Sequence, residues 1–280
     1  MQPYEMGKGQ PLQTREMMNN RIYHSDFRID ETYFPLIGSS NVQRYNLKTE
    51  NSYIKYGKNL AAPRRFEIFT KPRILINRIF SKKTIDATYV EEIVINNTDI
   101  FNFIPKDEYA KYLKPIVAIL TSNLCATYFK NSNVNLNRQV FPKLNVNNIL
   151  EFPLPTILKD ESLNYLSTQV DTIISFNRDL QTLSQQFQRS LKRKFNLEEL
   201  PKKLQDWYLL SYSDFIKELA KKKVILSLQQ EAEWESYFIS EAQKLLALKA
   251  QMTATDKAID NIVYALYDLS KEEIEIVEKG

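Results

Sequence analysis

RYNLKTENSYIKYGKNLAAPRRFEIFTKPRILINRIFSKK, residues 44–83, decides how this chain of 280 residues is read. Tyr45, Tyr53, Tyr56, Phe66, Phe69, Ile74, Ile76 and Phe80 are β-formers separated by polar turns, the pattern of short strands on a half-buried surface. Among them stand eleven Lys and Arg (Arg44, Lys48, Lys55, Lys58, Arg64, Arg65, Lys71, Arg73, Arg78, Lys82, Lys83). Only two acids, Glu50 and Glu67, oppose them, a net of +9 in a chain whose total is +4. A cationic surface on strands and loops suits a polyanion, because each neutralised phosphate releases condensed counterions. The same charge also reads as a solvated basic face with no partner.

Outward from this stretch, the residues predict strands over about 33–37, 52–56, 73–80 and 87–95, behind an irregular arm at 1–28 that holds Gly7, Gly9 and Pro11. From Lys106 to Phe129, apolar residues such as Leu113, Ile116, Val117, Leu120 and Leu124 recur three or four apart. They predict one helix, bent at Pro115. Pro153 and Pro155 close this part. A long helix is expected from Glu161 to about Phe195, and its partner after Ser227, where Ser227 and Gln230 have capping-box spacing. Trp234, Phe238, Leu245, Leu248 and Met252 form the partner's apolar face. A separate helix is expected over about 256–268, then another behind the box Ser270/Glu273. Leu209, Tyr212, Phe215, Ile216 and Leu219 are expected to dock between the two long helices.

Charge changes with texture. Residues 1–160 hold 22 basic and 15 acidic residues, and residues 161–280 hold 16 and 19, so the two parts carry +7 and −3. The expectation is an α+β protein: a β-rich domain at 1–158 with an internal helix near 106–130, then a helical domain at 159–280 built on an antiparallel helix pair. Composition is ordinary for a globular chain, 43% hydrophobic and 26% charged. No apolar run approaches the ~20 residues that span a bilayer, and the first residues lack a signal-peptide core. A single cysteine, Cys125, excludes an internal disulfide. These features predict a cytoplasmic protein.

Catalytic patterns are missing from this reading. His24 is the one histidine, and no His, Cys and carboxylate cluster has metal-ligand spacing. Cys125 sits among apolar residues, as a small buried hydrophobe does. Gly7-Lys8-Gly9 is too short for a phosphate loop. Neither the Pro-Asp, acid-x-Lys pattern of Mg-dependent nucleases nor the Asn-Pro-Pro-Tyr pattern of amino-methyltransferases is present. The chain reads as a binding module and not as an enzyme.

Several motifs, in order, carry a resemblance. Gln2 to Thr14 (QPYEMGKGQPLQT), Tyr53 to Ala61 (YIKYGKNLA) with Pro63-Arg64, and Lys71 to Ile76 (KPRILI) come first. Ile119 to Leu124 (ILTSNL), Phe141 to Leu144 (FPKL), Phe152 to Pro155 (FPLP) and Ile259 to Leu269 (IDNIVYALYDL), with Glu272-Glu273-Ile274, follow. Together they resemble the target-recognition region of fused type IIG restriction-modification enzymes, the Eco57I and TaqI-like group with a C-terminal specificity domain. That region shares its logic with type I specificity subunits. The resemblance implies a module that recognises a sequence in double-stranded DNA. A methyltransferase and endonuclease module, in cis or in trans, would perform the chemistry with S-adenosylmethionine and Mg²⁺, leaving this chain without a cofactor. It also implies a fragment, a truncated product or a stand-alone subunit. The competing reading is a helical protein-interaction scaffold without direct DNA readout.

For such a module, phosphate contacts set position and base contacts set sequence. Lys55, Lys58, Lys71, Lys82 and Lys83 are the phosphate candidates. Arg64, Arg65, Asn77, Arg78, Asn133, Asn135, Asn137 and Arg138 are the base-readout candidates, since Arg suits guanine and Asn suits adenine. The alternating asparagines from Asn131 to Asn137 read either as a polar loop or as amides aligned on one side of an extended strand. Tyr56-Gly57 is expected to shape the fold.

Overall fold

The structure, a computed structural model, describes residues 1–80, 84–132, 142–155 and 159–279. It divides into two compact units, Met1–Val170 with Ile259–Gly280, and Asp171–Ala258.

The first unit is built on short strands. β1 (His24–Ser25), β2 (Tyr33–Ile37), β5 (Tyr53–Lys55) and β8 (Ile95–Asn96) form a sheet in the order β1-β5-β2-β8. Among the described residues only β2 and β8 run parallel, with Leu36 opposite Ile95. β3 (Val42–Gln43) and β4 (Asn46–Leu47) make a hairpin, and β6 (Arg73–Asn77) lies between β7 (Ala87–Val90) and β9 (Ile100–Phe103), antiparallel to both. Every residue of β6 is buried, the apolar centre Ile74-Leu75-Ile76 and the polar ends Arg73 and Asn77 alike, as in a strand covered on both faces.

The expected strand at 73–80 ends at Asn77, because Arg78 and Phe80 turn their amides to Asp99 and Pro142 carbonyls. The expected strand at 87–95 is two strands in different sheets. Glu91 to Ile93 form an exposed corner between them.

The helix expected from 106 to 129 is three pieces: a 3₁₀ turn at Asp107–Tyr112, α2 (Leu113–Thr121) and α3 (Asn123–Ser132), following the short α1 (Arg15–Asn19). Pro115 causes no bend, since it sits in the first turn of α2 where its missing N–H is not required. The break falls at Ser122, whose backbone is extended (ψ 156°) and whose hydroxyl accepts the Cys125 amide at 3.2 Å. The buried Asp260 carboxylate accepts the Asn123 amide at 3.0 Å and lies 3.6 Å from the Arg44 guanidinium. Burial pushes the Asp260 carboxyl above its ordinary range, and Arg44 pulls it back. α4 (Val146–Glu151) is capped by Asn145 and leads to Phe152, which packs on Phe129 and Tyr267.

Two long helices dominate the rest: α5 (Asp160–Phe195) and α7 (Leu228–Leu266), with α6 (Tyr212–Ala220) between them and α8 (Lys271–Lys279) last. In the second unit α5 and α7 run antiparallel, Phe195 meeting Trp234 while Phe187 meets Phe238. Both capping boxes form: Ser227 accepts the Gln230 amide and Ser270 the Glu273 amide. The helices expected at 228–252 and 256–268 are one. Thr253 and Thr255 satisfy their hydroxyls on the carbonyls four residues back, so the polar run does not divert the backbone. Trp207 lies flat on Phe187, ring centroids 3.6 Å apart, within a core of Leu191, Phe215, Phe238 and Leu245. Leu209, expected in that core, is 53% exposed, and Trp207 fills the space instead. Among the described residues no helix is long and apolar enough to cross a membrane.

Candidate nucleic-acid interface

The cations of the first unit separate by burial. Lys48, Lys55, Lys58, Arg64, Arg65 and Lys71 are exposed, whereas Arg73 is wholly buried and Arg78 half-buried. Four of the exposed ones flank or occupy a single loop between β5 and a 3₁₀ turn at Phe66–Phe69.

The loop is held closed by its own sequence. The Tyr56 hydroxyl donates to the Arg64 carbonyl. The Tyr56 ring packs on Phe66 and Phe69 at centroid distances of 5.3 and 5.7 Å, with Phe34 behind Phe66 at 4.9 Å. Leu60 is the loop's buried anchor, and the Asn59 side-chain amide donates to the Lys55 carbonyl. Lys58, Arg64 and Arg65 are thereby carried on a fixed backbone with their side chains in solvent.

The arm at 1–13 braces this loop. Ala61 and Ala62 donate to the Pro3 and Gln2 carbonyls, and the Gln10 amide to the Lys58 carbonyl at 2.8 Å. The buried Gln13 amide donates to Pro3 and Asn59 carbonyls at 2.9 and 2.7 Å and accepts from the Glu5 amide. Gly9 has φ +82°, and a Cβ there would lie 2.4 Å from the Asn59 carbonyl oxygen. Only glycine meets both demands. The motif QPYEMGKGQPLQT is thus a strap on the cationic loop.

Beside the strap, the Tyr4 hydroxyl accepts the Tyr23 amide at 2.9 Å and shares a hydrogen bond with His24 Nδ1 at 3.0 Å. Burial, helped by the Arg21 charge, lowers His24 to about 4. Its folded pKa lies below the unfolded value of 6.5, so the unfolded chain binds the proton first as pH falls. Stability is then fully present above about 6.5 and declines toward 4. The urea midpoint of the native chain is expected to drop between pH 7 and pH 4.5 by more than that of His24→Gln. Equal drops would show that His24 contributes nothing.

Other candidates face inward. Asn77 is buried. Its amide donates to the Ser39 and Val42 carbonyls at 2.9 and 3.4 Å and its oxygen accepts the Ile79 amide, so no atom remains to read a base. Arg78 donates to the Leu144 and Thr98 carbonyls at 3.3 and 3.1 Å and lies over Phe101, which makes it a clamp between loops. Lys71 is exposed but sits 3.4 Å from Asp107. Lys82, Lys83, Asn133, Asn135, Asn137 and Arg138 lie outside the described residues.

Arg73 was counted in the basic stretch, but it belongs to the interior. Its Nε donates to Asn102 Oδ1 at 3.1 Å, and its terminal nitrogens donate to the Lys71, Glu92 and Val94 carbonyls at 3.1, 3.3 and 3.1 Å. Asn102 donates in turn to Asn96, so the network joins β6 and β9 to β8 of the other sheet. Burial lowers Arg73 to about 10, against the Glu92 charge, and it stays protonated at neutral pH. The sequence signal was an arginine heading an unbroken apolar strand, where a side chain has no route to solvent.

Two family models match the chain. Residues 34–154, which include the closed loop, match the TaqI-like C-terminal specificity domain. Residues 159–263 match a Domain of unknown function (DUF8810). No curated protein matches the chain.

Proposed function

Since residues 34–154 match the TaqI-like C-terminal specificity domain, we propose that the chain recognises a sequence in double-stranded DNA for a restriction-modification system. In this reading it positions the duplex for a methyltransferase and endonuclease module, joined in cis or in trans. S-adenosylmethionine and Mg²⁺ act in that module. The observation that carries the reading is the closed, braced loop that presents Lys58, Arg64 and Arg65 to solvent. Preorganised cations lose little freedom on binding, and an arginine on a fixed backbone can form the two parallel hydrogen bonds that a guanine edge accepts. Lys55, Lys58 and Lys71 are assigned to phosphates, with Lys82 and Lys83 added from the same basic stretch. Arg64 and Arg65 are assigned to base edges, with Asn133, Asn135, Asn137 and Arg138 added from the asparagine run. The antiparallel helices α5 and α7 are assigned to spacing and docking of the catalytic module, because the acidic helical part makes a poor DNA surface.

Binding of the full chain to random duplex DNA across a salt series tests the electrostatic part. Retention at low salt with a steep log–log slope is expected, and a flat slope refutes it. Arg64→Ala, assayed with the catalytic module present, should relax one base position by about 1–3 kcal/mol. Unaltered site preference removes Arg64 from readout.

A further inference from the structure

We propose that the second unit carries a docking groove for an acidic peptide segment of a partner protein, anchored by an apolar or aromatic side chain. The groove, of about 510 Å³, is lined by Ser190, Arg193 and Lys194 near the end of α5 and by Glu233, Trp234 and Tyr237 near the start of α7. Its floor is aromatic and braced from beneath. Trp234 packs on Phe195 and Tyr237 at centroid distances of 5.0 and 5.6 Å, and Tyr237 stacks on Phe187 at 5.3 Å. Trp234 is half-buried and Tyr237 exposed, so both offer ring surface to a visitor.

The rim runs against its surroundings. Residues 161–280 are net acidic, yet Arg189, Lys192, Arg193 and Lys194 fall within six residues and all are exposed. Among the described residues none of the four has a carboxylate partner. Cations at the end of a helix complement its dipole, but that role requires no groove and no aromatic floor. An aromatic floor able to desolvate an anchor, with cations at its edge to steer and register carboxylates, is the combination that dominates binding at protein interfaces. The Glu233 carboxylate and the α5 carbonyl end oppose any anion in the groove, and the four exposed cations of the rim outweigh them, so a duplex is the ligand to compete against an acidic segment. The inference rests on the second unit alone and stands whether or not the first unit binds DNA.

The probe is a fluorescein-labelled peptide in which Asp and Glu alternate with Phe and Leu, titrated into the full-length chain and followed by anisotropy. Controls are the same peptide with Lys in place of the acids, and a short duplex. Saturable, salt-sensitive binding of the acidic peptide alone is expected. Trp234→Ala, the central aromatic, should weaken it roughly thirtyfold. Arg193→Glu with Lys194→Glu changes only exposed side chains, so it tests the rim without endangering the fold, and should abolish binding. Absence of binding, or equal binding by the charge-reversed chain, overturns the proposal. A duplex whose affinity falls with the charge reversal assigns the groove to nucleic acid. A concentration-dependent mass that disappears with the same change assigns it to a second copy. Either result also overturns it.

Discussion

Arg73→Ala is expected to lower the stability of the first unit by roughly 4 kcal/mol or more. The substitution leaves the Lys71, Glu92 and Val94 carbonyls and the Asn102 amide oxygen without their shared donor, the Val94 bond being buried and the other three partly buried. Each buried acceptor left unmade costs about 1–3 kcal/mol, and the vacated space adds a cavity penalty. Against a typical total of about 5–15 kcal/mol, the loss is a large share of the reserve. Arg73→Lys should recover only part of it, because a point charge on a flexible stem cannot serve a planar set of acceptors. The control is Lys71→Ala, which removes an exposed charge two residues away and should change stability by under about 0.5 kcal/mol. If the two alanine variants unfold at the same urea concentration, Arg73 is not the centre of the network described.

The second large effect belongs to DNA binding. Replacing Lys55, Lys58 and Lys71 together by Gln should reduce the slope of log affinity against log salt by about 2.7, a loss of roughly 10²–10³-fold at ~0.1 M salt. All three side chains are exposed, so the fold should be unaffected. The Lys71–Asp107 pair lies on the surface, where such pairs contribute at most about 1 kcal/mol. A loss confined to one DNA sequence would contradict the phosphate assignment, and an unchanged slope would remove these lysines from the interface.

How much of this was visible in the residues depends on where each cause lies. β6 was legible because a continuous run of apolar β-formers has few other fates, and the capping boxes at Ser227 and Ser270 were legible because donor and acceptor are three residues apart. The break at Ser122 was not, since the Asn123 amide that follows it is held by Asp260, 137 residues further on. Pro115 drew attention only because the start of its helix was placed too early. Arg73 and Asn77 were misplaced for a related reason. Counting charge and amides along a segment says what it carries, and only the pairing of β6 with β7 and β9 says that these side chains face inward. The loop cations could be proposed from charge, but not the strap that fixes them. Its logic rests on the approach of Gly9 to the Asn59 carbonyl, which nothing near either residue announces.

Asp260 also bears on synthesis. It closes the start of α3 and faces Arg44, although it is made long after both. A nascent chain released as far as residue 158 contains every strand residue named above, but the ribosome has not yet delivered this carboxylate. Maturation of the front half therefore waits on translation of α7, and expression boundaries drawn at the end of the specificity-domain match would yield a polypeptide lacking its last fastening.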